Sequence, residues 1–294
     1  MGTQRMTGNI DARVSLAQDR RTAPAGLYEL ASDPSAQVRA AVAARPDAPA
    51  EALRPLARDR DRDVREAVAK NPATSQGNLL RLVGDADRWV RWAVAANPAV
   101  DNRIRKVMAK AQDKELRGLL AEMRTLEPEL AAILINDASP EVRERLAAHT
   151  YDPDVIAALL QDRTVRVRKG LAINEQTSAE QRHLLAQDSS PDVRAALVRA
   201  VELAEEDLQA LLDDRSVEVR RSMATSAVTP RHIREALEND ADETVAEDAR
   251  RYRAATVTDK RAVTDKPTAG KPATASRPGQ RRPVGKRFPG KTAR

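Results

Sequence analysis

Asp85 to Pro98 reads DADRWVRWAVAANP. Taken as a helix, it opens on an aspartate suited to cap the first turn and then carries a Val-Arg pair. It continues through small apolar residues and stops at Asn97-Pro98. The same phrase returns along the chain. Its Val-Arg slot is filled at Val38-Arg39, Val64-Arg65, Val90-Arg91, Leu116-Arg117, Val142-Arg143, Val167-Arg168, Val193-Arg194 and Val219-Arg220, with worn copies at Ala12-Arg13 and Val245-Ala246. Each step is 26 residues, except for 25 between Val142 and Val167. A fixed period of this size marks one supersecondary unit stacked many times.

Let the Val slot be position 0. Position −3 then holds Asn9, Ser35, Asp61, Asp87, Asp113, Ser139, Thr164, Ser190, Ser216 and Asp242, each a residue whose side-chain oxygen suits a helix N-cap. Pro140 and Pro191 follow at −2, where a missing N–H costs nothing. The helix stops near +7 or +8, at Arg45-Pro46, Asn71-Pro72 and Asn97-Pro98. Positions 0 and +4 are apolar and share one face. A shorter helix precedes each of these, marked by apolar pairs at −11 and −8 such as Leu53/Leu56, Leu79/Leu82, Ile156/Leu159 and Leu208/Leu211. Asp152-Pro153 and Thr229-Pro230 read as its cap-plus-proline starts. No useful run of period-2 alternation competes. The pattern predicts an all-α solenoid of about ten two-helix repeats.

At these residues the chain resembles two related families. Asp59–Pro72 and Asp85–Pro98 are similar to leucine-rich repeat variant units. The Asp at −5 and the Arg at +1, as in Asp33/Arg39, Asp188/Arg194 and Asp214/Arg220, also resemble the HEAT repeat. The resemblance spans roughly residues 5–250. It implies a right-handed α-solenoid that serves mainly as a binding surface. An N-terminal Cys cluster holds an iron–sulfur centre in some variant-repeat proteins, but this chain has no Cys.

Composition narrows the function classes. Aromatic residues make up only 2% of the chain, so Ala, Val and Leu must build thin helical layers. Without Cys there are no disulfides, thiolate metal sites or cysteine nucleophiles, which suits a reducing cytoplasm. No long apolar run marks a membrane span, and the first residues lack the apolar core of a secretory signal. Residues 255–294 carry eleven Lys or Arg against two Asp; with a formal total of +6, this leaves the remainder at −3. Pro267, Pro272, Pro278, Pro283 and Pro289 punctuate that stretch, which reads as a disordered basic tail following a solenoid of residues 1–254.

One unit departs from the pattern. Around Leu116 the Asp slot is Ala111 and the Asn-Pro slot is Met123-Arg124. Asp101 to Leu126 reads as nearly unbroken helix interrupted only at Gly118, so an irregular joint is expected near 101–128, dividing the solenoid into two arms.

The Asp–Arg pairs read as an internal ladder rather than a phosphate-binding stripe, because equal numbers at fixed spacing favour mutual pairing. Trp89 and Trp92 are the only tryptophans, at −1 and +2. Other units place Gln37, Asp63, Glu141, Asp192 and Glu218 at −1 and Glu66, Glu144, Lys169, Arg221 and Glu247 at +2, so the indoles are expected at the surface with Arg88 beside them, a candidate partner-binding patch. The tail residues Arg281, Arg282, Lys286, Arg287 and Lys291 are candidates for gripping phosphates. Gly285–Thr292 matches a phosphate-loop pattern but lacks the strand before it and the helix after it, so it reads as coincidence. His149, His183 and His232 fall in different units and no catalytic motif contains them. The expectation is a non-catalytic cytoplasmic scaffold that binds a protein partner and needs no cofactor or metal. The alternative is a nucleic-acid binder whose tail grips phosphates while the solenoid cradles the duplex.

Overall fold

Cap residues and proline stops divide the chain into short rods. The computed structural model describes residues 9–264, with side chains through Ala255. Among these residues there are nineteen helices and no strand. The first ten are α1 (Ile10–Gln18), α2 (Pro24–Leu30), α3 (Ala36–Ala43), α4 (Ala50–Leu56), α5 (Arg62–Lys70), α6 (Gln76–Leu82), α7 (Arg88–Ala95), α8 (Asn102–Ala109), α9 (Lys114–Ala121) and α10 (Pro128–Ile135). They continue as α11 (Pro140–His149), α12 (Pro153–Leu159), α13 (Val165–Ala172), α14 (Ala179–Ala186), α15 (Pro191–Ala200), α16 (Glu205–Leu212), α17 (Val217–Thr225), α18 (Arg231–Leu237) and α19 (Glu243–Thr264). Odd-numbered helices carry the Val-Arg slot, and even-numbered ones carry the preceding apolar pair. From α1 to α17 each odd helix packs on the next odd helix, while the even helices touch their even neighbours more lightly.

The core follows the repeat arithmetic. Val38, Val42, Val64, Val68, Val90, Val94, Val193, Leu197, Val219 and Met223, all at positions 0 or +4, are fully buried. Leu53/Leu56 and Leu79/Leu82 meet them from the even helices. Each such side chain contributes roughly 1.5–3 kcal/mol by leaving water. In the first described unit Ala12 is exposed and Leu16 only half-buried.

Three local expectations are corrected. All the −3 residues sit at helix starts, but only the Asn and Asp side chains cap. Asn9, Asp61, Asp87, Asp113 and Asp242 accept a first-turn N–H, whereas Ser35, Ser139, Thr164, Ser190 and Ser216 do not. The backbone N–H of each of those five goes to the ladder Asp two residues earlier, as it also does at the capping Asp61, Asp87 and Asp242, and the Ser139 hydroxyl turns to Glu141. Thr229 does not cap α18 either. Pro230 takes the cap position, and Thr229 Oγ1 is buried without a hydrogen-bond partner. Asp101–Leu126 is not one helix. Asp113 accepts the Glu115 N–H and starts α9 afresh, because its short carboxylate offers the backbone an alternative to continuing α8. Gly118 lies buried within α9 with the Arg145 side chain against it.

The chain divides into a unit ending at Tyr252 and another beginning at Arg253. Helix α19 continues past the expected end of the solenoid to Thr264. The rest of the expected disordered tail lies outside the described residues. No helix among the described residues is long and apolar enough to cross a membrane.

Candidate protein-docking site

The Arg at +1 sits one residue past the buried Val slot, so its side chain leaves the odd helix at the seam between units. Arg39 shows the geometry. Its Nε donates to Asp59 Oδ2 at 2.6 Å and its Nη2 to Asp59 Oδ1 at 2.9 Å, while Nη1 donates back to the Asp33 carbonyl at 2.7 Å. Each arginine therefore ties its own loop to the carboxylate of the next repeat. Nine such rungs run from Arg13–Asp33 to Arg220–Asp240. Burial pushes the carboxyls of Asp59, Asp85, Asp113, Asp162 and Asp214 up. Hydrogen bonds from the partner Arg and a backbone N–H, with the Arg charge, outweigh burial and hold all five below the ordinary value of 3.8. The Arg220 hydrogen bond leads the same downward shift at Asp240. The guanidiniums are consumed by the fold and do not form a phosphate stripe.

A second ladder runs beside the first, and sequence reasoning took its residues only for helix stops. Asn71 Nδ2 donates to the Ala43 and Arg45 carbonyls of the preceding repeat, at 2.7 and 2.6 Å, while its Oδ1 accepts the Ala73 N–H. Asn97 and Asn174 repeat this arrangement. Arg45 fills the same slot with a longer side chain, reaching the Ala17 and Asp19 carbonyls while its fork holds Asp47. The recurrence of Asn before Pro was the available signal. A stop needs only the proline, so the asparagine had a separate job.

The candidate patch lies on α7. Asp87 caps the Trp89 N–H at 2.8 Å, which sets the helix start and turns −1 and +2 outward. The two indoles meet edge to face, with centroids 5.0 Å apart and planes at 77°. The Arg88 guanidinium lies 5.0 Å from the Trp89 ring centroid and 5.7 Å from that of Trp92. Trp89 is 42% exposed, and Trp92 is half-buried with its Nε1–H sealed in and without an acceptor. In the flanking units the same face is ionic. Glu66 binds Lys70 at 2.5 Å, and Arg145 binds Glu115 at 2.8 Å and Glu122 at 3.3 Å. The structure thus places Arg88, Trp89 and Trp92 together as one aromatic island in a charged surface.

The leucine-rich repeat variant model matches residues 36–61, one full unit spanning α3, α4 and the start of the next repeat. A solved leucine-rich repeat variant with a novel repetitive structural motif is 26% identical, over 75% of this chain and 94% of its own, with a TM-score of 0.53. The chain thus carries a leucine-rich repeat variant unit at residues 36–61 and is similar over most of its length to that solved repeat protein. A designed armadillo repeat protein in complex with the peptide (KR)4 is 18% identical over 84% of this chain and 99% of its own, with a TM-score of 0.20. An engineered protein is 14% identical over 85% of this chain and 96% of its own, with a TM-score of 0.32. No curated protein matches the sequence.

The histidines of the solenoid are held by structural partners. His183 Nδ1 lies 2.6 Å from Asp207 Oδ1, His232 Nε2 lies 3.0 Å from Glu205, and His149 Nδ1 meets the Arg145 carbonyl. Among the described residues no group of three or more His, Asp or Glu is arranged to hold a metal ion. The tail candidates Arg281, Arg282, Lys286, Arg287 and Lys291, and the phosphate-loop-like stretch, lie outside the described residues.

Proposed function

We propose that this solenoid is a non-catalytic cytoplasmic scaffold that docks a protein partner on the α7 face through Trp89, Trp92 and Arg88. The observation that carries this reading is the exposed Trp89 meeting Trp92 edge to face beside Arg88, on a face where the flanking repeats place Asp63, Glu66 and Glu115. Tryptophan and arginine dominate binding hot spots, and a large indole left in water is surface that a partner can bury. The test compares proteins captured by the full chain with those captured by Trp89→Ser, whose side chain is exposed enough to leave the fold intact. A partner retained by the first and lost by the second supports the reading. An unchanged set of captured proteins defeats it.

A second reading rests on charge alone: residues 255–294 carry eleven Lys or Arg against two Asp. On that reading the tail grips nucleic acid, and retention of DNA or RNA falls steeply with salt. Deletion of residues 265–294 should then abolish retention. Retention that persists without the tail removes this reading.

A further inference from the structure

The Arg91 rung is built differently from its neighbours. In eight other repeats the ladder Asp stands at −5, and its Oδ1 also accepts the N–H two residues on, at 2.8–2.9 Å. Here −5 is Ala111. Arg91 reaches past it to Asp113, where Nε and Nη2 both converge on the single oxygen Oδ2. Asp113 Oδ1 is spent on capping Glu115 at 3.0 Å. The carboxylate that elsewhere faces the whole Arg fork and the −3 N–H is missing from this position.

A pocket of about 670 Å³ opens at this spot, floored by Val83, Gly84, Val107 and Ala111. Val107 is 42% exposed there. The matching spaces at the intact Arg194–Asp214 and Arg220–Asp240 rungs are about 350 and 450 Å³, and ladder carboxylates and arginines line them. Loss of one Asp side chain has made a larger, apolar seat. Its rim is cationic. Arg91, Lys106 and Lys110 line it against the single carboxylate of Asp113, with Lys106 also bound to Glu129 at 2.5 Å.

We propose that this pocket binds the C-terminus of a partner polypeptide ending in an aliphatic residue. The terminal carboxylate takes the place of the missing Asp, held by Lys110, Arg91 and the Asp113 N–H. The last side chain lies on Val83, Val107 and Ala111. With Arg91 paired to Asp113 and Lys106 to Glu129, Lys110 leaves the rim one positive charge in excess, which favours an anion, and charge-assisted hydrogen bonds to a carboxylate are the stronger kind. The volume falls in the range that holds a drug-sized ligand, equivalent to a few residues of chain. A fatty acid would share the head-group chemistry but fill that volume poorly.

The test uses the full chain and fluorescein-labelled short peptides of varied sequence ending in leucine or valine, followed by anisotropy. The same peptides ending as amides, and octanoate, are the comparison probes. Free-acid peptides should bind, and their amides should bind about tenfold more weakly or worse. Ala111→Asp, which rebuilds the rung and fills the seat, should abolish binding. Lys110→Glu, at an exposed position, should weaken binding if Ala111→Asp proves unstable. Trp89→Ser should leave it unchanged, which separates this site from the α7 patch. Equal binding of acid and amide, binding that survives both pocket variants, a response to octanoate alone, or no binding of any free-acid peptide overturns the proposal.

Discussion

A guanidinium and a carboxylate withdrawn from water each lose several kcal/mol of hydration, so a buried pair persists only if every donor and lone pair is used. The Arg194–Asp214 rung meets that condition. Its side chains are 8% and 6% exposed, both Asp214 oxygens accept from the Arg fork, and Arg194 Nη1 is anchored on the Asp188 carbonyl. Arg194→Ala leaves Asp214 charged and alone at the seam, and should destabilise the solenoid by about 3–5 kcal/mol in urea unfolding followed by circular dichroism. The double variant Arg194→Met, Asp214→Leu should recover part of that loss. A residue stays unpaired even then, because Ser216 N–H loses its acceptor, so a deficit of about 1–3 kcal/mol remains. A single variant no worse than a surface ion pair would refute the ladder's structural role.

At the scale of elements, the distance between neighbouring odd helices is set by which residue stands in the contact. A Cβ on Gly170 of α13 would meet the Glu144 carbonyl of α11 at 2.7 Å and Ala147 Cβ at 3.1 Å. The carbonyl is backbone and cannot swing away. Gly170→Ala should therefore cost about 1–3 kcal/mol through overpacking, despite alanine's better helix propensity. Gly77 in α6 is the control, with nothing within 4 Å of its would-be Cβ. There Gly77→Ala should stabilise by about 0.5–1 kcal/mol. Thermal melts of the two variants should move in opposite directions. Movement in the same direction would show that close approach of α11 and α13 does not govern their packing.

At the scale of the solenoid, cohesion is a sum of unit-to-unit contacts rather than one central core. Ladder carboxylates recur at nearly every seam, so acid acts on many seams at once. The folded carboxyls of Asp59, Asp85, Asp113, Asp162, Asp214 and Asp240 lie below their unfolded value. Groups shifted this way contribute their full stability above the unfolded value of about 3.8 and lose it as pH falls through the lower folded values. Thermal stability should thus drop steeply below about pH 4, while these six groups contribute no slope between pH 5 and 8. A midpoint insensitive to pH 3 would contradict the assigned pairing.

The recurring Val-Arg slot, the cap residues and the apolar pairs made the all-α repeat legible from the chain alone. Each is a local preference repeated at constant spacing, and repetition turns a weak signal into a firm one. The pairing of Arg39 with Asp59 rather than Asp33 was not legible, because both lie at fixed separations and only stacking brings one within reach. The asparagine ladder escaped for the same reason: its carbonyl partners lie 26 and 28 residues back, across a seam. Trp89 and Trp92 could be placed on a common face by counting, but not their mutual angle, the position of Arg88 or the buried Nε1–H. Ala111 was visible as an omission. That the omission opens an apolar, cation-rimmed space follows from three-dimensional packing, since a missing side chain becomes a pocket only when neighbouring helices do not close over it.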